Sequence, residues 1–451
     1  MSVSGESEPV AFLTYKLEDR PDPVRSVMFG FQHVLVMFTA MISEPLIIGS
    51  ILKLPMAQVS FLLVATMIGC GVGAIIQSQR FSFVGSNLPM AMGSFLLFIG
   101  PIVAVAKVSG LAGAFTAVLI AALFQFLVVS FLFAKLRRFF PPLVTGTVIT
   151  IIGLYLIPIG ITNVLGSDTP YYNKPQALIV AMLTIASIVV LNRFTSGIWK
   201  TLSVLLGIVI GYLISIPFGM LNLDAVAKAP WLGVPQPFWF GPPVWPGFMA
   251  VALMIIAFMV TAIDVIGCTM AVSRAVEVEA DEGRLRGALA ANGLASAIAS
   301  IFGGSPMISY SQNIGLIQLT GVGSRFVVMV GGIILIILGF LPKLAALIAV
   351  IPKPVMGGAL MVAWGLVIAI GTNLVKGSLK SERDLFIYAV SVAIGLGFVL
   401  APKDSLTYLP QFLKLLFDAG PAIGIMLAVF LNLVIPETQK SSVKAENKLN
   451  I

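Results

Sequence analysis

Apolar runs long enough to cross a bilayer recur from residue 27 to residue 435, and nothing else in the chain limits its fold as tightly. A transmembrane helix needs about 20 mainly apolar residues. In lipid, every backbone N–H and C=O must find its partner within the protein. With 58% hydrophobic and 10% charged residues among 451, and a mean hydropathy of +1.04, a soluble globular fold is excluded. The pattern predicts an all-α polytopic membrane protein. Spans fall near residues 27–50, 59–78, 86–106, 111–134, 143–165, 176–193, 201–218, 247–272, 286–302, 305–321, 325–350, 355–373, 384–401 and 419–436, fourteen in all. Between the seventh and eighth lies a loop rich in Pro, Gly and Trp, Pro230 to Pro246, suited to the membrane interface. The first 25 residues are polar and predict no cleavable signal peptide.

Arginine supports this count. If the N-terminus is cytoplasmic, connections after even-numbered spans are inside. All eleven arginines then fall inside: Arg20, Arg25, Arg80, Arg137, Arg138, Arg193, Arg274, Arg284, Arg286, Arg325 and Arg383. A miscounted span would scramble that positive-inside asymmetry. The expected topology has both tails in the cytoplasm, on a protein of the cell (inner) membrane. The net charge of +8 comes from basic residues scattered singly between spans, so no nucleic-acid partner is expected. Cys70 and Cys268 lie in apolar segments, and the chain has one histidine. Neither a disulfide framework, a metal site nor a cofactor is expected.

The stretch from Ser305 to Arg325 is different in kind. Ser305-Pro306-Met307-Ile308-Ser309-Tyr310 alternates small or polar with apolar residues, as a strand does, and Pro306 disfavours helix. Gln312-Asn313 can cap a short helix that ends at Gly321. A strand feeding a half-length helix at membrane depth must line a cavity or be buried in protein. Ser86 to Phe95, opening the third span, also places Pro-Met in an extended stretch before a helix. The third and tenth spans correspond in two seven-span halves, and an odd number per half makes the halves inverted repeats. Interrupted segments in corresponding positions point to a transporter binding site.

Gln312-Asn313-x-Gly315-x-x-x-x-Thr320-Gly321 resembles the signature of the nucleobase–ascorbate transporter family, [QEP]-N-x-G-x-x-x-x-T-[RKG]. The resemblance runs from the LEDRP segment to Pro436. It implies a 7+7 inverted repeat with short strands in segments 3 and 10. A core domain (27–134 and 247–350) would carry substrate. A gate domain (143–218 and 355–436) would form a homodimer and the surface against which the core moves. The tails are 1–26 and 437–451.

Two acids lie well inside the expected spans, Asp264 and Glu44. A charge at the bilayer centre costs about 2.5–3.5 kcal/mol or more, so such residues face a cavity or a partner. The family places an acid facing the signature in the eighth span, holding ring N–H groups of the substrate, and Asp264 stands there. The family usually has Glu, so the reach here is one methylene shorter. Glu44 precedes Pro45, where the first span is expected to break. His33 matches a histidine of the family's first span, more often a hydrogen-bonding tether than a ligand.

By resemblance, Gln312 contacts substrate and Asn313 orients the site. Ser311 and Gly93-Ser94-Phe95 supply backbone amides and an aromatic wall, and Thr320 closes the signature. Tyr310 could stack on a base but is more often packing. Purine-transporting relatives often carry further acids where this chain has Cys268 and Asn292, and Glu44 is the candidate to compensate. These features imply proton-coupled import of an oxidised purine, xanthine or uric acid, by elevator-type movement. The alternatives are uracil as substrate, or an inorganic-anion transporter of the same architecture, a family that usually carries a soluble C-terminal domain. A membrane-embedded enzyme is not expected, because no nucleophile–base or metal constellation assembles.

Overall fold

The computed structural model describes residues 13–132, 141–310, 312–400 and 422–435. Residues 1–12 and 437–451 of the expected tails, and the candidate ligand Ser311, lie outside the described residues. Asp22 starts the first helix. Its side chain accepts the Arg25 N–H, and Pro23 follows where a missing donor does no harm. The helix, α1, runs Pro23–Ile51 and so takes in residues 23–26 of the expected tail.

The break expected at Pro45 is not there, because α1 continues through it. Proline removes one donor from the ladder and frees the carbonyl four residues earlier. That carbonyl is Met41, and it accepts the Ser94 hydroxyl at 2.9 Å. The gap in the helix is filled from a different segment, so the helix has no need to end.

Helix α2 spans Met56–Ser78, β1 Met92–Ser94, and α3 Ile99–Phe124. Within α3, Gly110 has φ +67° and ψ 176°. Only glycine takes such a backbone easily. The break falls between the stretches expected as spans 86–106 and 111–134. Then come α4 (Pro142–Val164), α5 (Pro175–Phe194), α6 (Ser203–Ser215), α7 (Phe248–Ala275) and α8 (Glu282–Ile301). The second strand, β2, is Met307–Ser309, and α9 is Gln312–Thr320. The chain continues through α10 (Arg325–Gly339), α11 (Pro342–Ala349), α12 (Lys353–Lys376), α13 (Glu382–Leu400) and α14 (Ala422–Val434).

Among the described residues, seven helices are long and apolar enough to cross a bilayer, or eight if α10 and α11 count as one span bent by 82°. The stretch from Leu96 to Leu132 enters that count once, although Gly110 divides it. The tenth expected span, 305–321, is a strand and a nine-residue helix.

Small residues let helix backbones touch. A β carbon on Gly71 would lie 2.4 Å from the Gly332 carbonyl oxygen, and one on Gly30 would lie 2.9 Å from the Gly331 nitrogen. Those contacts join α2 and α1 to α10. Gly146 and Gly371 do the same for α4 and α12, with Gly371 placed 2.6 Å from the Thr150 nitrogen on the same test. The largest apolar cluster includes Phe98, Phe258 and Trp364, from the turn before α3, from α7 and from α12.

Candidate functional site

The two strands pair antiparallel, with Met92 opposite Ser309, Gly93 opposite Ile308 and Ser94 opposite Met307. All six residues are buried. Short strands backed by lipid could not satisfy their outer edges. Here neighbouring helices do so. Thr66 Oγ1 of α2 accepts the Ser305 N–H at 3.1 Å, and Ser296 Oγ of α8 accepts the Met307 N–H at 2.9 Å. Gln77 of α2 donates to Ala288 O and Ser309 Oγ, and its Oε1 accepts the Ser86 N–H. One amide therefore holds the approaches to both strands. Sequence reasoning centred on acids does not find Gln77, Thr66 or Ser296. Their signal is a lone amide or hydroxyl in an otherwise apolar span.

Gly93 is required by the ring opposite it, since a β carbon there would lie 2.4 Å from Tyr310. Tyr310 is buried, and its hydroxyl donates to the Ser94 carbonyl. It packs the strand pair together, and its ring is not free to stack on a ligand. The Ser94 hydroxyl is likewise engaged, by Met41. Phe95 is half-buried and packs against both large apolar clusters.

Asn313 sits in the first turn of α9 and is buried. Its Oδ1 accepts from Nδ1 of the buried His33 on α1, and its Nδ2 donates to Pro89 O at 2.8 Å. The carbonyl fixes which way the amide points, and the amide in turn keeps the proton on Nδ1 of the imidazole. This pair ties α9 to α1 and to the stretch leading into β1. Gln312 opens α9, and its side chain lies outside the described residues. Thr320 lies about 12 Å away at the other end of α9, by the rise of 1.5 Å per residue. There its hydroxyl donates to Leu316 O and accepts the Val322 N–H.

Helix α7 packs against β2 and α9. Asp264 lies on it, half-buried, and makes no hydrogen bond or ion pair with any described residue. Three residues on, along the same face, Gly267 is exposed and a β carbon there would meet no atom within 4 Å. Gly315 of α9 is exposed and open in the same way. Cys268 is a buried free thiol, and Asn292 of α8 is buried with both amide atoms unpartnered.

Glu44 is fully buried, and neither carboxyl oxygen has a hydrogen-bond partner. Ser94, Ser305 and the Phe95 N–H lie around it, short of hydrogen-bond geometry. Asp264 and Glu44 thus occupy separate surroundings, one beside open space and one enclosed.

A sequence model of the Permease family matches residues 24–403. The chain belongs to that family. It is 34% identical to the uric acid permease PucJ of Bacillus subtilis over 424 residues, 92% of this chain and 94% of that protein. It is 34% identical to the xanthine permease XanP of Escherichia coli over 457 aligned positions, 96% of this chain and 98% of that protein. Nucleobase–ascorbate transporter membership, which the signature at Gln312-Asn313 indicates, agrees with these relatives. Among solved structures, the transmembrane domain of the cyanobacterial bicarbonate transporter BicA superposes with a TM-score of 0.56 at 16% identity. The match covers 90% of this chain and 100% of that one. That likeness is one of fold.

Proposed function

We propose that this permease imports an oxidised purine, xanthine or uric acid, by symport with protons. The carrying observation is Asp264, a half-buried carboxyl without a protein partner on a helix packed against the signature helix. A carboxylate only accepts hydrogen bonds, which suits ring N–H groups. Gln312 offers donor and acceptor to the polar edge of the base. Ser311, Gly93 and Ser94 contribute backbone groups, since the Ser94 hydroxyl is engaged by Met41. Phe95 forms a wall. Asn313 and His33 orient the site, Thr320 secures the far end of the signature helix, and Glu44 belongs to coupling. The names of the relatives PucJ and XanP agree with this substrate class. The BicA likeness, at 16% identity, carries no substrate with it.

The same reading has fourteen spans in a 7+7 inverted repeat. The core (27–134 and 247–350) moves like an elevator against a gate (143–218 and 355–436) that forms the homodimer. Both tails lie in the cytoplasm of a cell whose inner membrane holds the protein. The arginine asymmetry and the pairing of a third-span strand with a tenth-span strand support it.

The test is uptake of radiolabelled xanthine in a transport-null cell, competed by purines, uracil, ascorbate and bicarbonate. Competition by xanthine and urate alone is expected. Asp264→Asn should lower uptake at least tenfold with an unchanged amount of folded protein, as the loss of a charged hydrogen bond of about 1.5–3 kcal/mol implies. Wild-type uptake by Asp264→Asn would remove that residue from the site.

A further inference from the structure

Glu44 is the only carboxyl among the described residues with both oxygens buried and unbonded. The groups around it come from several segments. Ser94 and the Phe95 N–H lie at the end of β1, Ser305 lies ahead of β2, Cys70 is on α2, and Tyr310 follows β2. The Ser305 hydroxyl is itself buried without a partner. Cys70 and Tyr310 are the titratable groups facing Glu44 from these elements, and no lysine, arginine or histidine among the described residues pairs with it. His33, on the same helix, is three turns away and engaged by Asn313.

Ionised and enclosed in this way, the carboxylate would leave its desolvation uncompensated. It therefore needs a positive partner that enters and leaves with the solution. A metal cation requires several oxygens converging at once. Of the two hydroxyls here, Ser94 already serves Met41. A proton requires only the carboxyl.

We propose that Glu44 carries the coupling proton while Asp264 holds the purine, two sites on different helices joined through the β1–β2 pair. The inference rests on the reading of the chain as a proton-coupled purine symporter and names the group on which the proton rides. Protonated, Glu44 leaves the Phe95 N–H available on the substrate side. When the O–H bond breaks and the proton passes to water, the carboxylate draws that amide and the Ser305 hydroxyl onto itself. Charge-assisted bonds of this kind are the strong ones. Base and proton then favour one another's binding reciprocally.

The test uses the full chain in proteoliposomes with xanthine as probe. Glu44→Gln, nearly isosteric, should exchange xanthine across the membrane within twofold of wild type. Its accumulation under an imposed pH gradient should fall at least tenfold, and the pH dependence of uptake should flatten. Glu44→Asp should restore part of both. Accumulation by Glu44→Gln at the wild-type level and pH profile overturns the proposal, as does wild-type accumulation driven by a sodium gradient without a pH gradient. If Glu44→Gln does not fold, the infrared band of protonated carboxyls in Asp264→Asn is measured instead. A band that shifts with pH supports Glu44 as proton carrier, and an unresponsive band overturns it. Failure of the underlying reading looks different, because the wild type itself would then transport no xanthine.

Discussion

The two strands share a fold position but not a burden. Before β1, the chain spends its polar groups on itself and its neighbours. The Ser86 hydroxyl donates to Gln77 O, Arg284 donates to the Ser86 and Asn87 carbonyls, and the Asn87 amide reaches an exposed Glu18. After β2, the polar residues stand at the start of a short helix, and one of them, Asn313, reaches back to Pro89 on the first side. The first segment is the scaffold and the second is aimed by it.

Substitutions can break that contrast or sharpen it. The largest effect is expected at Asn313→Ala, which strands the His33 ring and the Pro89 carbonyl. Each buried group left unpaired costs about 1–3 kcal/mol. Asn87→Ala, at the half-buried counterpart, should cost only about 1 kcal/mol, from a backbone at φ +55° that alanine takes less readily than asparagine and from a lost bond to the exposed Glu18. Thermal unfolding of the two variants in detergent compares them directly, and equal losses would erase the distinction between scaffold and site. Gly93→Ala comes next, at about 1–3 kcal/mol from overpacking against Tyr310. Gly315→Ala is its opposite: nothing obstructs the added methyl, so folding should be unharmed while xanthine uptake falls if that space receives substrate.

Tyr310→Phe should lose about 1 kcal/mol, one hydrogen bond, and keep its substrate profile. A changed profile would return Tyr310 to the binding site. Gln312→Glu should leave stability alone and shift the ranking of purine analogues as inhibitors, since the carboxylate loses both amide donors. The smallest effect lies away from both strands. Lys53 and Lys353 flank Asp168 at 3.0 and 3.3 Å and hold its carboxyl below the usual range. A depressed folded value means the contribution is present above the unfolded value of about 3.9 and is lost as pH falls through the folded one. Lys53 and Asp168 are solvent-exposed and Lys353 is partly so, which leaves the pairs worth little. Asp168→Asn should therefore leave the melting temperature between pH 5 and 7 almost unchanged.

The sequence carried the strand positions, because Pro-Met in an extended stretch is a local signal at both Pro89-Met90 and Pro306-Met307. The break at Gly110 was also legible, falling between two apolar runs. What escaped depends on distant partners. Nothing near Pro45 reveals that a serine almost fifty residues later will occupy its orphaned carbonyl, so a break was the reasonable local expectation. The grip of Asn313 on His33 joins positions 280 residues apart. Glu44 and Asp264 look alike in sequence, as acids in apolar runs. Only packing separates the enclosed carboxyl from the one beside open space.

The pairing of residues 92–94 with 307–309 also has a consequence in time. Synthesis proceeds at about 5–20 residues per second, so β1 waits roughly 10–40 s for its partner to be made. Through that interval β1 stands in the membrane with its strand edge unpaired, packed on α1 and α2. A nascent chain in that condition is what membrane quality control detects. Damage at Gly93 should therefore register as protein that never accumulates, while damage at Gln312 should register as protein that is present and discriminates poorly.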